Sequence, residues 1–185
     1  MNEKQILPIK RPAWIYPIPV VVVGTKWDQR INWTTIAYVG IVDSEHLSLS
    51  MATKRYGLKL LKKSRQLSIN IPGKQHMKLV DTLGLVSGND QNKSDMVPYF
   101  LGALSQAPLI EDFPINIACH VIDIRSYSEG HELVICKAEA LYGYHDDLAD
   151  NQLPVSNIKP LLFSWDGYYV AEETVGTPWK EGNRL

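Results

Sequence analysis

Long apolar runs are missing from this chain: Val20–Val23 is followed at once by glycine and is far too short to cross a bilayer as a helix. Cysteine is scarce. Cys119 and Cys136 are the two present, they form no CxxC pair, and a zinc site or a disulfide scaffold has nothing to build on. Charge of one sign is missing too, with 19 Lys+Arg against 20 Asp+Glu and a formal net charge of −1. That balance argues against a nucleic-acid-binding surface as the main business of the molecule. It leaves room for a phosphate pocket, which needs only one or two cations and several N–H donors. No GxGxxG opens a helix after a strand, so a Rossmann dinucleotide site and its nicotinamide fingerprint are unsupported.

What is present is globular. Hydrophobic residues make up 45% and charged residues 21% of 185 residues, the size of one domain (1–185) with a substantial core. The start, through Trp14, mixes charges with two prolines and has no apolar signal region, so a soluble cytoplasmic protein is expected.

Strand patterns dominate. Pro17–Gly24 opens with prolines and becomes a β-branched run, a first strand. His46–Met51 and Gln66–Ile71 alternate with period two, aligning Leu47, Leu49 and Met51 in the first and Leu67, Ile69 and Ile71 in the second. Between them, 55–64 carries Leu58, Leu60 and Leu61 among lysines, a short amphipathic helix. A second helix follows Pro72-Gly73, with Met77, Val80 and Leu83 on its apolar face and Lys74, Lys78 and Asp81 toward solvent. Residues 87–94 read as a polar loop. Two long strands come next, 114–127 and 131–144, joined by Ser128-Glu-Gly130. Apolar parity slips at Ile122 and Ile124, the mark of a bulge or a doubly covered edge. Cys119 and Cys136 fall almost opposite each other and are expected to be reduced core residues. A closing hairpin turns at Asp166-Gly167. Helices inserted between early strands, with hairpins late, give an α+β or barrel pattern, not the regular alternation of a doubly wound sheet.

Four places could carry chemistry. Asn32-Trp-Thr-Thr-Ile-Ala-Tyr38 reads as a loop whose hydroxyls, amide and aromatics suit a ring system and its polar tail; a turn with self-satisfied threonines is the alternative. Met51-Ala-Thr-Lys-Arg-Tyr56 runs from a strand end into a helix start, where free N–H groups and the Lys54 and Arg55 charges suit an anion, or form a solvated pair. Gly84–Lys93 lacks the glycine and closing acid of a calcium loop; Ser87, Gly88 and Lys93 suit a phosphate or a ring carbonyl, or an ordinary surface loop. His131 is a lone histidine opening a strand, with no Ser/Asp or second-His partner. His76, His120 and His145 show no ligand spacing with it.

Taken in order, Tyr16–Thr25, Asn32–Tyr38, Leu67–Pro72, Gly84–Gly88 with Lys93, Pro108, Pro114–Asn116, Gly130-His131 and the late hairpin resemble the flavin-reductase-like FMN-binding split-barrel family, flavoredoxin-like branch. The resemblance implies a mainly β fold, a Greek-key split β-barrel with α insertions, a homodimer, and FMN in a groove near the subunit interface. It places Asn32, Trp33, Thr34, Thr35, Ala37 and Tyr38 along the flavin. Met51, Ala52, Thr53, Lys54 and Arg55 fall at the phosphate end, with Asn70 beside them. Ser87, Gly88 and Lys93 would close over the cofactor, and His131 would stand near the ring as the catalytic candidate. Three positions depart from the family pattern: Gly57 where threonine is usual, Asn89 where arginine is usual, and Cys136 where glycine is usual. The implied chemistry is transfer of electrons from NAD(P)H through FMN to flavin, ferric iron or a protein acceptor. An FMN-bearing electron carrier with a redox-protein partner is the alternative.

Overall fold

The computed structural model describes residues 4–8, 10, 13–147 and 152–180. Its strands are β1 (Ile18–Pro19), β2 (Val21–Trp27), β3 (Arg30–Ile36), β4 (Val39–Ile41), β5 (His46–Ala52), β6 (Gln66–Ile71), β7 (Tyr99–Leu101), β8 (Pro108–Ile110), β9 (Ile115–Ser128), β10 (His131–Gly143), β11 (Leu161–Ser164) and β12 (Gly167–Val170). Helix α1 (Tyr56–Ser64) lies between β5 and β6, α2 (Met77–Leu85) follows β6, and a single turn, α3 (Val155–Ile158), precedes β11. Seven strands form one antiparallel sheet in the order β3-β2-β6-β9-β10-β5-β4, curled as half of a split barrel. Smaller sheets, β1-β11-β12 and β7-β8, flank it.

Strand β2 explains its own valine run. Val21 and Val23 enter one core with Leu49, Met51, Leu58, Leu61, Leu67 and Ile69, while Val20 and Val22 enter a second with Trp33, Val80, Leu83 and Phe113. A strand buried on both faces needs apolar residues without alternation. The first expected strand is therefore two, because β1 leaves the main sheet to pair with β11 while β2 pairs with β3 and β6.

Both expected helices form. Helix α1 buries Leu58, Leu60 and Leu61 and stops at Arg65, whose left-handed φ of 54° lets its N–H donate to the Leu61 carbonyl. On α2, Val80 and Leu83 are buried as expected, but Met77 is exposed. A 3-10 turn over Lys74–His76 precedes it, placing Met77 at the helix start with no core in front of it. The parity slip in β9 is a bulge: Ile135 pairs with Asp123 and Cys136 with Val121, so Ile122 faces out and Ile124 returns to the core. Cys119 and Cys136 are free and fully buried. The adjacent Cys136 thiol, then burial, pushes the Cys119 thiol far up, so it stays protonated. The closing hairpin sits one residue earlier than expected, with Ser164 paired to Gly167 across a Trp165-Asp166 turn.

Candidate functional site

The segment 32–38 is mostly strand, with only Ala37 and Tyr38 in the connection to β4. Residues Arg30–Ile36 pair one by one with β2, from Trp27↔Arg30 to Val21↔Ile36, across a turn in which Asp28 takes φ 53°. Being a strand sorts its side chains by parity. Trp33 turns into the second core, fully buried against Tyr99 at 6.1 Å, and lines neither cleft described below. Asn32 and Thr34 turn the other way.

They floor a cleft of about 280 Å³. Asn32 Nδ2 donates to Thr34 Oγ1 at 2.8 Å. Asn32 Oδ1 is left buried with no hydrogen-bond partner among the described residues. An orphaned buried acceptor costs about 1–3 kcal/mol unless a ligand supplies a donor. Gly88 of the 87–90 turn lies directly over it, since a Cβ at Gly88 would fall 2.0 Å from Asn32 Oδ1. Gly57 in the first turn of α1 is also closely placed, its ideal Cβ 2.6 Å from Thr34 Oγ1 and 2.9 Å from Asn32 Nδ2. A threonine at 57 would press on the Asn32–Thr34 pair, whose polar ends would have to shift to admit it.

The cleft is cationic. Lys54, Arg55 and Lys93 line it, with no acidic side chain among the described lining residues. Helix α1 begins there with no side-chain cap at Arg55, so its positive end adds to the field. Arg55 Nη1 donates to the Gly84 carbonyl at 3.2 Å, fixing the guanidinium across from α2. Lys93 is buried, not a surface charge. Its ammonium donates to the carbonyls of Trp33 (2.8 Å) and Leu83 (2.7 Å), tying β3 to the end of α2. Burial, reinforced by the Arg55 charge, brings its pKa down to about 8. Asn89, standing where an arginine is usual, bridges loop and helix: it accepts from Lys59 Nζ at 2.8 Å and donates to the Lys54 carbonyl at 3.3 Å.

A second cleft of about 200 Å³ shares Thr34 and Arg55 with the first. Thr35, Ile36, Ala37 and Tyr38 form one side, Ser50, Met51 and Ala52 of β5 another, and His131 at the start of β10 a third. Ladder pairing sets His131 opposite Ala52, and the Tyr38 and His131 rings are 6.5 Å apart. Thr35 lines this cleft while its hydroxyl donates to the Val80 carbonyl at 2.7 Å. Phe163 and Trp165 close it from the β11–β12 hairpin. Jointly the clefts fall in the ~300–1,000 Å³ range of small-molecule sites.

Most of the expected residues converge here, and three do not. Trp33 is core. Asn70, fully buried in β6, donates to the Val22 carbonyl and Ser68 Oγ and accepts from Ile110 N–H and Asn116 Nδ2, so its capacity is spent inside the fold. Thr53 is exposed, its N–H and hydroxyl directed to the Gly130 carbonyl, and lines neither cleft. Sequence reasoning missed Tyr56, Val86 and Asn89 in the first cleft and Ile36, Ser50, Phe163 and Trp165 in the second. The alternating aromatics of 163–165 were the available signal for the last two.

The family model described as "Flavin reductase like domain" matches residues 14–172, and the chain belongs to that family. Among solved structures it is similar to the flavoredoxin of Methanosarcina acetivorans, with TM-score 0.91, 23% identity and coverage of 97% of this chain and 98% of that one. The flavoredoxin of Desulfovibrio vulgaris (Miyazaki F) follows at TM-score 0.86, 23% identity and coverage of 97% and 100%. An FMN-binding protein from Thermus thermophilus, solved with bound 1-cyclohex-2-enone, matches at 0.79 and 22% over 96% and 99%. Among the described residues no helix is long and apolar enough to cross a membrane, and no cluster of His, Cys, Asp and Glu could hold a metal ion.

Proposed function

We propose that this chain binds FMN without a covalent link across the two joined clefts and works as an oxidoreductase, taking electrons from NAD(P)H and passing them to a small or protein acceptor. The observation that carries the reading is the orphaned Asn32 Oδ1, set on the floor of a cationic cleft that continues into an aromatic-walled one. A ribityl hydroxyl supplies the donor that Asn32 lacks. Lys54, Arg55, the Ser87-Gly88 turn and the start of α1 hold the phosphate, a dianion matched to that cluster. The ring system lies in the second cleft against Tyr38, Ala37 and His131. FMN, when bound, supplies the ability to accept and release electrons or hydride. The protein binds it, orients it and shields it from water.

Lys93 acts through the backbone. Its ammonium holds the carbonyls beneath the Asn32–Thr34 floor and adds positive potential to the cleft. The similarity to an FMN-binding protein and two flavoredoxins supports FMN as the flavin. As in the expectation from the family, we take the working unit to be a homodimer, with the flavin near the subunit interface.

Fluorescence titration of the purified protein with FMN tests the binding. Saturable quenching with a micromolar or lower Kd is expected, and a signal indifferent to FMN would end the flavin reading. Anaerobic addition of NADPH or NADH to the flavin-loaded protein then tests the donor. Bleaching within seconds supports the reductase, while a spectrum unchanged over minutes leaves an electron carrier reduced by a protein partner.

A further inference from the structure

Beside the second cleft lies an unassigned open groove of about 530 Å³. Trp14, Tyr16, Trp165 and Tyr169 wall it, and the Asp166 carboxylate stands at its rim. The rings are set edge to face: Trp14 to Tyr16 at 5.5 Å, Tyr16 to Trp165 at 6.3 Å, and Phe163 to Trp165 at 5.4 Å. Trp165 is the shared wall, lining both this groove and the cleft assigned to the flavin ring. Among the described lining residues there is no lysine or arginine. The negative charge at the rim is well kept, because Ser164 and then the Tyr169 hydroxyl hold the Asp166 carboxyl below its ordinary value. Tyr169 Oη donates to Asp166 Oδ2 at 2.5 Å.

We propose that this open groove is the binding site of a second planar molecule, a phosphate-free heteroaromatic that carries positive charge, resting against the aromatic side chains beside Asp166. Aromatic faces and a carboxylate attract such a cation, whereas a polyanionic dinucleotide meets no countercharge there. The groove's place next to the flavin rests on the function proposed above; its preference for cations rests only on its own walls.

The test is a calorimetric titration of the FMN-loaded protein at low salt with N-methylphenazinium, and in parallel with the planar anion anthraquinone-2-sulfonate. The cation is expected to bind at least about 10-fold tighter than the anion. Trp14→Ala and Asp166→Asn, neither of which lines the flavin clefts, are each expected to weaken the cation about 5-fold while leaving the FMN Kd unchanged. Equal affinity for the two probes, or a cation affinity indifferent to both substitutions, overturns the proposal. Repeating the titration on flavin-free protein separates the two readings: cation binding that persists where FMN fails to bind sinks the flavin function and leaves the groove standing.

Discussion

Replacing Lys93 with methionine keeps the length of the side chain and removes one charge and two hydrogen bonds. The buried ammonium now satisfies the Trp33 and Leu83 carbonyls, and each would lose a charged donor at a cost of about 1–3 kcal/mol. Against that stands the cost of burying the charge. A drop from the ordinary lysine pKa of ~10.4 to about 8 corresponds to about 3 kcal/mol of destabilisation in the charged form. At neutral pH the two effects oppose, and the variant is expected between about 1 kcal/mol more stable and about 3 kcal/mol less stable than the parent.

The pH dependence is sharper than the neutral value. Below pH 8 both folded and unfolded chains hold the proton, and the parent bears the whole burial cost. Between pH 8 and ~10.4 the unfolded chain holds more protons than the folded one, so parental stability rises with pH by up to about 3 kcal/mol. The methionine variant has no such group. Urea unfolding at intervals across this range, compared as the difference between the two proteins, isolates Lys93 from the tyrosines and other lysines that titrate nearby. A difference that climbs through that window is the expected result. One that stays flat within about 0.5 kcal/mol means that the ammonium reaches solvent and is not buried as described. Saturating FMN should move the climb to higher pH, because a phosphate in the cleft favours the charged form.

Further substitutions separate binding from folding. Gly88→Ala puts a methyl 2.0 Å from Asn32 Oδ1, forcing that amide to turn; FMN affinity by fluorescence should fall at least about 10-fold with little change in unfolding, and an unchanged Kd means Asn32 does not touch the cofactor. Asn70→Ala strips partners from Val22, Ser68, Ile110 and Asn116 and should cost about 3–5 kcal/mol in urea unfolding, while the folded protein keeps its FMN affinity; weaker flavin binding at full stability would restore Asn70 to the site. His131→Ala removes an exposed ring at the cleft wall and should leave stability within about 0.5 kcal/mol but weaken FMN about 5-fold, an effect absent if the ring only faces solvent.

Much of this architecture was readable from pattern. The valines of β2, the alternation in β5 and β6, the leucines of α1 and the slip at Ile122 each report burial directly, and burial is what apolar periodicity encodes. The differences fall where burial is not apolar or where distant segments decide it. Asn70 looked like a ligand because three of its four partners, 40 and more residues away, leave no trace beside it in the chain. Phe163 and Trp165 reach the cleft only because β11 folds back onto β1. The segment around Asn32 looked like a loop since polar residues occupy the parity that another strand would fill with aliphatics.

That last difference shows what makes the site. Strand β3 carries Asn32, Trp33 and Thr34 in succession, and its pairing with β2 alone decides which of them face the cleft. A one-residue slip would send the indole into the cleft and press an amide and a hydroxyl into the second core. Exposing a tryptophan that is now fully buried would forfeit a few kcal/mol, and burying the unpaired amide would cost a comparable amount again. Trp33 therefore holds the register that presents Asn32 and Thr34. Its contribution to the cleft is made from the opposite face of the strand, which is why it is not among the residues that line either cleft.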